Sequence, residues 1–298
     1  MKLAPIVLFT YNRLAHTKAT IAALLQNVHA EESELIVYSD GARQPEGAAK
    51  VDELRHFLDS IRGFKSVTVV KREQNLGLAK NIMSGVGEVV GRYGRIIVLE
   101  DDLVTSPYFL KFMNEALEKY ENDHRVISAV GYVYPVDERL PQNFFLKNSD
   151  CLGWATWKRG WDLFEYDTEK LLTTIVESDL ATEFDFGGNY PFTRMLQDQL
   201  AGKVDSWAIR WYATAFIHNK LTLYPGNSLV FHAGNDLTGT NYTNDNILDV
   251  ELYMKPVPVT EIEVEESRVA RTAVSRFFKK NYNKNIFQRA YIKMKNFF

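Results

Sequence analysis

RIIVLEDDLVTSPYFLKFMNEAL, residues 95–117, is the stretch that decides the fold. Its apolar run Ile96–Leu99 predicts a buried β-strand, which ends at three consecutive carboxylates at positions 100–102. Ser106 and Pro107 then predict the N-cap and the first position of an amphipathic helix. Because neighbouring like charges repel and raise each other's pKa, this acidic triplet requires either a cation or contact with water.

Strand and helix patterns alternate on both sides of this stretch. Such alternation is typical of βαβ units with right-handed crossovers, so the predicted fold class is α/β, with a mainly parallel sheet flanked by helices. The segments that predict strands are PIVLF, ELIVYSDG, SVTVVKR, RIIVLEDD and RVISAVGYV. Those that predict helices are HTKATIAALLQNV, AAKVDELRHFLDSI, NLGLAKNIMSGVGEVV and SPYFLKFMNEALEKYE.

Polar side chains follow four of the predicted strands. Asn12 and Arg13 follow the first, Asp40 ends the second, Arg72 ends the third, and the acidic triplet ends the fourth. In open parallel sheets, ligands bind beyond the carboxyl ends of the strands. We therefore expect these four polar groups to converge on one edge of the sheet.

The composition is that of a soluble globular protein, since 46% of the 298 residues are hydrophobic and 24% are charged. The formal net charge of −3 provides no field that favours nucleic acid, so no nucleic-acid partner is expected. The single cysteine, Cys151, excludes an intramolecular disulfide and favours a reducing compartment. The N-terminal apolar run lacks a signal-peptide cleavage site, and no stretch approaches the roughly 18 apolar residues of a membrane span. We therefore predict a cytoplasmic protein.

The acidic triplet has two interpretations. A hard divalent cation such as Mg²⁺ or Mn²⁺ takes oxygen ligands, and is commonly held by one or two carboxylates together with water and substrate phosphates. Alternatively, the three acids form a solvated turn whose charge favours the N-terminus of the following helix. The triplet alone leaves both interpretations open.

Four motifs follow one another in the first half of the chain: PIVLFTYNR, SDG, NLGLAKN and VLEDD. Together they resemble the nucleotide-sugar half of GT-A glycosyltransferases, most of all GT2-like bacterial enzymes and the N-acetylglucosaminyltransferase I type, in which EDD stands for the DxD motif. The resemblance continues more loosely through LGWATW, DSWAIRW and FHAGNDLTGTN. It implies a GT-A domain with a donor half (1–133) and an acceptor-binding, catalytic half (134–262), followed by a basic aromatic extension (263–298).

The resemblance also implies roles on the donor side. Asp102 would coordinate Mn²⁺ or Mg²⁺ and bridge it to the diphosphate, while Glu100 and Asp101 would face the ribose and the donor sugar. His232 would be a second metal ligand, although a lone histidine after a strand is otherwise an ordinary buried hydrogen-bonding group. Asp40 would bond the base or the ribose. The other positions that would line the nucleotide-sugar pocket are Pro5, Tyr11, Asn12, Arg13, Gly77 and Lys80.

Several of these donor-side residues also have purely structural interpretations. Asn12 would cap the following helix, Asp40 and Gly41 would form a turn, and Gly77 would relax a tight connection.

The segment VDSWAIRW supplies the predicted catalytic base. A transferase that inverts the anomeric carbon needs a group that removes the proton of the acceptor hydroxyl. The resemblance implies Asp205 for this role, followed by Trp207 and by Arg210, which would pair with Asp205 or with phosphate. Asp198 is the second candidate, and the structural alternative is that Asp205 caps the next helix. Similar enzymes often have two acids here, whereas this chain has Ser206 in the second place.

The segment LGWATWKRGW supplies the predicted acceptor contact. Tryptophan rings stack on the apolar faces of sugars and donate a hydrogen bond from the indole N–H. Trp154 is therefore predicted to bind the acceptor, together with Trp207 and Arg210, whereas Trp157 and Trp161 are predicted to pack.

Two further segments lie towards the C-terminus. Gly234, Asn235 and Thr238 predict a mobile loop that closes over the donor. Nine Lys and Arg residues, interleaved with aromatics and with no acid among them, lie between Arg268 and Phe298. This tail is either an amphipathic helix on an anionic membrane, on the inner face of the plasma membrane, or a helix packed on the catalytic domain or another subunit.

These expectations combine into a metal-dependent, inverting hexosyl- or N-acetylhexosaminyltransferase. It would move a sugar from a nucleoside diphosphate, with UDP expected, to a glycan or lipid-linked acceptor in bacterial surface polysaccharide synthesis. One alternative is a nucleotidyltransferase that forms sugar nucleotides, although FTYNR lacks the glycine-rich phosphate loop of such an enzyme. Another is a non-catalytic glycan- or membrane-binding protein that retains the fold.

Overall fold

The structure, a computed structural model, describes residues 2–234 and 246–282. These residues form a mixed α/β fold in which helices pack on an eight-stranded sheet, and a separate two-stranded ladder lies beside it. The strands are β1 (Ile6–Thr10), β2 (Glu34–Ser39), β3 (Ser66–Lys71), β4 (Arg95–Glu100), β5 (Leu103–Thr105), β6 (Val126–Val130), β7 (Asn143–Leu146), β8 (Trp154–Trp157), β9 (Leu221–Pro225) and β10 (Val230–His232).

Ten α-helices and two short 3₁₀ helices, Pro45–Gly47 and Asn246–Leu248, occur in the described ranges. The α-helices are α1 (Leu14–Leu25), α2 (Ala48–Ser60), α3 (Leu78–Tyr93), α4 (Phe109–Lys119), α5 (Lys158–Trp161), α6 (Thr168–Glu177), α7 (Ala181–Phe184), α8 (Phe192–Leu200), α9 (Trp207–Ile217) and α10 (Arg268–Asn281).

The large sheet has the strand order β3-β2-β1-β4-β8-β6-β9-β7. The pairs among β1, β2, β3 and β4 are parallel, as is the pair of β6 and β9, whereas β8 runs antiparallel to both β4 and β6. β7 runs antiparallel to β9 at the far edge. The predicted mainly parallel α/β sheet is therefore confirmed, and the sheet contains strands from both predicted halves of the chain.

The central strands are buried on both faces. Every residue of β1 is buried, and so is β4 from Arg95 to Leu99. A strand covered on both faces needs apolar side chains in succession, which is why these segments read as continuous apolar runs. Glu100 is the first residue of β4 to become partly exposed, whereas Asp101 and Asp102 after it are buried.

The prediction that Ser106 caps a helix with Pro107 in its first position is wrong. α4 begins at Phe109, and the fully buried Ser106 instead donates its backbone N–H to the carbonyl of Leu229 at 2.8 Å. Its hydroxyl accepts a weak bond from the N–H of Tyr108 at 3.3 Å. A long-range contact with the segment before β10 therefore replaces the local cap.

α10 uses its apolar face for packing within the protein. Phe277 and Phe278 are buried and contact the rings of Tyr134 and Tyr190. For residues 268–281 the packed-helix interpretation is therefore correct. The remainder of the predicted membrane-binding tail, 283–298, lies outside the described residues. Among those that are described, no helix has both the length and the apolar character needed to span a bilayer.

Candidate functional site

An arginine supplies the cation that the acidic triplet requires. β1 and β4 are parallel neighbours, with Phe9 opposite Glu100, so the turn after β1 meets the turn after β4. There the guanidinium of Arg13 donates to Asp101 and, at 2.8 Å, to Oδ2 of Asp102. The first and fourth polar groups therefore converge at one edge of the sheet, as predicted.

The three groups alter one another's ionisation. Burial alone would lower the pKa of Arg13, but the charges of Asp101 and Asp102 raise it above its ordinary value. Burial alone would raise the pKa of Asp102, but His232 and Arg13 together lower it to about 2. Burial raises the pKa of Asp101, and Arg13 only partly opposes this effect. Asp102 is thus the member of the triplet that is most firmly held as an anion.

A two-stranded ladder brings His232 to Asp102. β10 pairs antiparallel with β5, with His232 opposite Leu103, and the N–H of Ala233 donates to the carbonyl of Asp102 at 2.8 Å. Nε2 of His232 then lies 3.4 Å from Oδ2 of Asp102. Two residues that are 130 positions apart in sequence therefore form one potential ligand pair, as the resemblance implied.

Gly234 leaves the space on which this pair depends. A Cβ at this position would lie 2.5 Å from Oδ2 of Asp102 and 2.8 Å from Nε2 of His232. Any larger residue would therefore push against both polar atoms. Gly234 belonged to the predicted mobile loop, but Asn235 and Thr238 of that loop lie outside the described residues.

The donor set fits a divalent cation of the Mg²⁺ or Mn²⁺ class. A carboxylate oxygen and an imidazole nitrogen 3.4 Å apart can share one ion, because two ligands at about 2.1 Å span at most about 4.2 Å. Across the described ranges, no group of three or more His, Cys, Asp and Glu side chains is arranged to hold a metal. Asp102 and His232 would therefore hold such an ion together with water and substrate phosphate, as is usual for Mg²⁺.

Asp40 organises the loop that precedes α3. Its Oδ1 accepts from the N–H groups of Gly41 at 3.0 Å and Leu76 at 2.9 Å, and its Oδ2 accepts from Gly77 N–H at 3.0 Å and Asn75 Nδ2 at 3.1 Å. A carboxylate offers about four acceptor sites, and all are used here. The predicted bond from Asp40 to the base or ribose therefore does not fit this geometry, and Asp40 instead positions residues 75–77.

Gly77 meets two requirements of this loop. Its φ of 74° lies in the left-handed region that favours glycine, and it occupies the position before the first turn of α3. No atom lies within 4 Å of where its Cβ would be, so the loop borders open space. Lys80 is exposed on the first turn of α3, on the same connection.

Arg55, which no sequence pattern indicates, joins the carboxyl ends of β2 and β3. Its guanidinium donates to the carbonyls of Ser39, Asp40 and Arg72, the last at 2.6 Å. Arg55 lies within α2, and a basic residue in an amphipathic helix does not by itself predict a contact with strand ends. Only the packing of α2 onto the strand ends discloses it.

The sequence matches a known family of enzymes. Residues 6–181, more than half of the chain, match the family model described as "Glycosyl transferase family 2". The chain belongs to glycosyl transferase family 2. It is therefore a glycosyltransferase, as predicted, while the finer likeness to the N-acetylglucosaminyltransferase I type stays a prediction. A comparison with curated proteins finds no match.

Solved structures similar to this family 2 glycosyltransferase include a mannosyltransferase and S. aureus TarS. The mannosyltransferase PcManGT from Pyrobaculum calidifontis, in complex with GDP-Man and Mn²⁺, is 11% identical with a TM-score of 0.39, covering 72% of this chain and 69% of that one. S. aureus TarS 1–349 is 11% identical with a TM-score of 0.43, covering 78% of this chain and 60% of that one. These values are too low to assign a donor or an acceptor to this chain.

The predicted base of the glycosyltransferase is exposed at the start of α9. The side chain of Asp205 is 69% exposed and pairs with the largely buried Arg210 at 3.0 Å, as one of the two predicted roles of Arg210 requires. The helix cap is Ser206, whose hydroxyl accepts from the N–H of Ile209, so the capping interpretation of Asp205 is wrong. The rival, Asp198, faces two cations, Arg194 and Lys203.

The tryptophans that were predicted to contact the acceptor lie in the core. Trp154 is 1% exposed and Trp207 is 3% exposed, and their rings stack on each other at 5.3 Å between centroids. Trp161 and Trp211 cover further parts of Trp154. Direct stacking of a sugar on Trp154 or Trp207 is therefore excluded in this arrangement, because no ring face is open.

The aromatic segment was expected to form a binding loop, but it forms β8. This strand is inserted between β4 and β6, with Trp154 opposite Val98 and Val130. Trp157 and Trp161 are buried, as predicted. The stack of Trp207 on Trp154 fixes the start of α9, and thus Asp205, beside the end of β4 that leads into the acidic triplet.

Three further donor-side predictions have different outcomes. Pro5 is buried at the amino end of β1, where its carbonyl accepts from the N–H of Ile97, so it lies at the opposite edge of the sheet and its predicted role is wrong. The hydroxyl of Tyr11 accepts from the N–H of Arg43 at 3.0 Å, at the carboxyl edge. Asn12 lies in the same turn, partly exposed, and does not cap α1, which follows Arg13 without a side-chain cap.

Proposed function

We propose that this glycosyltransferase is metal-dependent and inverting, with a nucleoside-diphosphate sugar, UDP being the expected nucleotide, as donor. The acceptor in this proposal is a glycan or a lipid-linked glycan of a bacterial surface polysaccharide. The observation that carries the proposal is the cluster of Arg13, Asp101, Asp102 and His232 beyond the carboxyl ends of β1 and β4. Ligands of open α/β sheets bind at this edge.

The donor side of the proposal rests on charge. A diphosphate is an anion, and a divalent ion on Asp102 and His232 would offset the charge that develops on the departing nucleoside diphosphate. Arg13 is the chain's own cation at this place, with its side chain 19% exposed. Arg13 therefore has both the charge and the access to contact a phosphate directly.

The open space beside Gly77 would take the donor sugar or nucleoside. Glu100 and Asp101 border the same edge and would accept bonds from donor hydroxyls, as the resemblance implies. Loop 75–77 is held by Asp40 before any ligand arrives. A prearranged wall of this kind lowers the conformational cost of binding.

The transfer step follows from the exposed carboxylate. The acceptor hydroxyl oxygen forms a bond to the anomeric carbon, and the bond from that carbon to the phosphate oxygen breaks, so the electron pair leaves with the nucleoside diphosphate. The hydroxyl proton passes to Asp205. Because Asp205 is exposed and already near its counter-ion Arg210, it can receive an acceptor without rearrangement of the core.

The expected cytoplasmic location, peripheral to the plasma membrane, belongs to the same proposal. A lipid-linked acceptor would lie at the membrane surface, where the basic residues of the C-terminal segment would be attracted to anionic lipid. Vesicle sedimentation with and without phosphatidylglycerol tests this point. Equal sedimentation with neutral and anionic vesicles would contradict it.

A thermal-shift screen tests the donor and the metal. UDP, GDP and dTDP and their sugars are added with and without Mn²⁺ to the wild type, to Asp102→Asn and to Asp59→Asn. Asp59 is the matched control, because its exposed carboxylate pairs with Lys71 on the surface. One nucleotide at about 100 times its Kd should raise the wild-type Tm by roughly 5 °C only in the presence of Mn²⁺.

Asp102→Asn should lose the Mn²⁺-dependent part of this rise, and Asp59→Asn should keep it. Stabilisation that is equal with and without Mn²⁺ would contradict metal dependence. Stabilisation by no nucleotide at all would support the non-catalytic alternative.

A further inference from the structure

A large groove lies outside the candidate donor site described above. Its volume is about 930 Å³, and its walls are the segment after β6 (133–142), the turn after β9 (226–228) and the segment 249–258. This volume is near the upper end of the roughly 300–1,000 Å³ that is typical of ligand pockets. The groove therefore has room for a ligand at the large end of that range.

The groove opens at the same edge of the sheet as the donor site. β6 and β9 run parallel to each other, and β8 runs antiparallel to both β4 and β6, so β4, β6 and β9 all end at one edge. Ser228, in the groove wall, leads directly into β10, which ends at His232. Four residues of extended chain span about 13 Å, so the groove begins a few sugar lengths from the ligand pair.

A second connection runs through the turn before β8. Tyr134 lines the groove, and its hydroxyl bonds to the carboxylate of Asp150. Next to Asp150, burial raises the pKa of the Cys151 thiol, and the charges of Asp150, Glu100 and Asp102 add to this effect. The turn at 150–151 is therefore close enough to the acidic triplet to experience its charge.

The wall formed by residues 249–258 is fixed in place before any ligand binds. The hydroxyl of Tyr132 donates to the carbonyl of Leu248 at 2.8 Å at one end, and Gln142 donates to the carbonyl of Pro258 at 3.1 Å at the other. Between them, the N–H of Tyr253 donates to the carbonyl of Ser228 at 2.9 Å. Hydrogen bonds therefore join the segment 249–258 to the opposite walls of the groove.

The lining has the chemistry of a carbohydrate site. The partly exposed Tyr253 supplies an aromatic ring, and Gln142 and Asn227 supply amides that donate and accept hydrogen bonds. The charged lining residues are three acids and two bases: Glu138, Asp249, Glu251, Arg139 and Lys255. A small acidic excess disfavours a polyanion, such as a phosphate-rich lipid headgroup.

We propose that this groove is a distal acceptor site that binds an uncharged oligosaccharide, several sugar units away from the hydroxyl that reacts. The proposal rests on the proposed function, since it assigns the bound chain to the acceptor. An enzyme with such a site would bind long acceptors more tightly than short ones. The groove would hold the older part of the glycan while the growing end of the glycan reaches Asp205.

The test measures glycan binding without donor. Full-length wild type and variants are applied to immobilised bacterial oligosaccharides, neutral and anionic, from single sugars to hexasaccharides. The groove variants are Tyr253→Ala and Asn227→Ala, and Tyr253→Phe retains the ring. Tyr166→Ala is the matched control, because Tyr166 is 56% exposed and lies outside the groove.

Wild type should retain neutral hexasaccharides more tightly than single sugars. Tyr253→Ala should weaken this binding about tenfold or more, whereas Tyr253→Phe and Tyr166→Ala should stay within about twofold of wild type. Asn227→Ala, an exposed truncation that does not threaten folding, should weaken it severalfold. Wild type that binds no neutral oligosaccharide, or variants that bind as wild type does, would overturn the proposal, as would a preference for anionic glycans.

A second readout separates this proposal from the proposed function. Hydrolysis of the nucleotide sugar without acceptor should change by less than about twofold in Tyr253→Ala, because the donor site is intact. Loss of glycan binding with normal hydrolysis supports both proposals. If the protein bound glycans but neither bound nor hydrolysed any nucleotide sugar, the proposal of a glycan-binding groove would stand and the proposed function would be rejected.

Discussion

The two halves of the molecule that were predicted to bind donor and acceptor differ in where they place charge. Around β1–β4, ionised groups are buried and satisfy one another, as Arg13 does with Asp101 and Asp102. Around β8 and α9 the interior is a stack of tryptophan rings, and the carboxylate proposed as base, Asp205, is 69% exposed. The predicted donor half therefore contains buried charges that satisfy one another, whereas the predicted acceptor half has an apolar interior and an exposed acid that pairs with Arg210.

This difference has a physical reason. A nucleoside diphosphate has the same charge in every sugar donor, so buried partners can be fixed against it, and low dielectric strengthens those contacts. An acceptor hydroxyl is neutral and must be reached by a base that still exchanges protons with water. Exposure of Asp205 meets that need.

The largest effect is expected at the base. Asp205→Asn should lower the rate of sugar transfer by about 10²–10⁴-fold, because an amide cannot take the acceptor proton, while the affinity for donor stays unchanged. Asp198→Asn is the matched control, since Asp198 is the nearby acid paired with Arg194 and Lys203. Steady-state transfer rates and donor titrations measure both. If Asp198→Asn were the inactive variant, the roles of the two acids would have to be exchanged.

In the donor half, the next effect is on stability. Asp40→Asn should lower the free energy of unfolding by about 2–3 kcal/mol, because an amide replaces acceptors that serve four donors with charge assistance. Asp59→Asn, at an exposed ion pair, should cost less than about 1 kcal/mol. Urea unfolding curves measure both. Equal costs would mean that the buried charges of the donor half are no more tightly integrated than surface charges.

A smaller effect is expected from closing the space beside the ligand pair. Gly234→Ala should weaken Mn²⁺ binding in the presence of UDP about tenfold, because the new methyl group crowds Asp102 and His232 at a cost of about 1–3 kcal/mol. Gly91→Ala, in α3 with no atom within 4 Å of the added Cβ, should leave Mn²⁺ affinity unchanged and raise stability by about 0.5–1 kcal/mol. Isothermal titration calorimetry measures both Mn²⁺ affinities. An unchanged Mn²⁺ affinity in Gly234→Ala would show that Asp102 and His232 do not hold the ion.

The metal-free protein should also show a pH dependence of its stability. Burial and the charges of Asp102 and Asp101 raise the pKa of Glu100 from 4.5 to about 8. Between these values the folded protein keeps a proton that the unfolded chain has lost, so the free energy of unfolding should fall as the pH rises. Glu100→Gln should remove this decline, which urea midpoints at pH 5 and pH 8 measure. The same slope in wild type and variant would show that Glu100 ionises as it would in water.

The opposite sign applies to Asp102, which provides an internal check. Its pKa is lowered from 3.8 to about 2, so its contribution to stability is complete above pH 3.8 and is lost as the pH falls towards 2. Between pH 5 and pH 8 Asp102 therefore adds no slope. The two carboxylates can be separated by the pH range alone.

The parallel strands of the donor half could be predicted from sequence, because strand and helix periods and the polar residues at strand ends are local signals. They gave β1–β4 and the meeting of Arg13 with the acidic triplet. Features that depend on long-range contacts could not be predicted from these local signals. Ser106 donates its backbone N–H to Leu229 and does not cap the helix that follows it. The segment at Trp154 forms an inner strand because β4 and β6 lie on either side of it.

The site residues divide along the same line. His232 and Asp102 were paired only through family resemblance, since the β5–β10 ladder that joins them leaves no local signal. Asp40 was expected to bind nucleotide because its type and place are right, but its four internal hydrogen bonds are invisible in a sequence. Arg55 was missed for the same reason.

The position of β8 in the sheet also determines the order in which the chain can be completed during synthesis. β4 and β6 leave the ribosome first, yet each needs β8, which is 24 residues or more further along, to fill the place between them. Until residues 154–157 emerge, β4 and β6 each expose an unpaired edge that can pair with other chains. The nascent chain can therefore aggregate through the edge of β4 until β8 is translated, and through the other edge of β6 until β9 is translated.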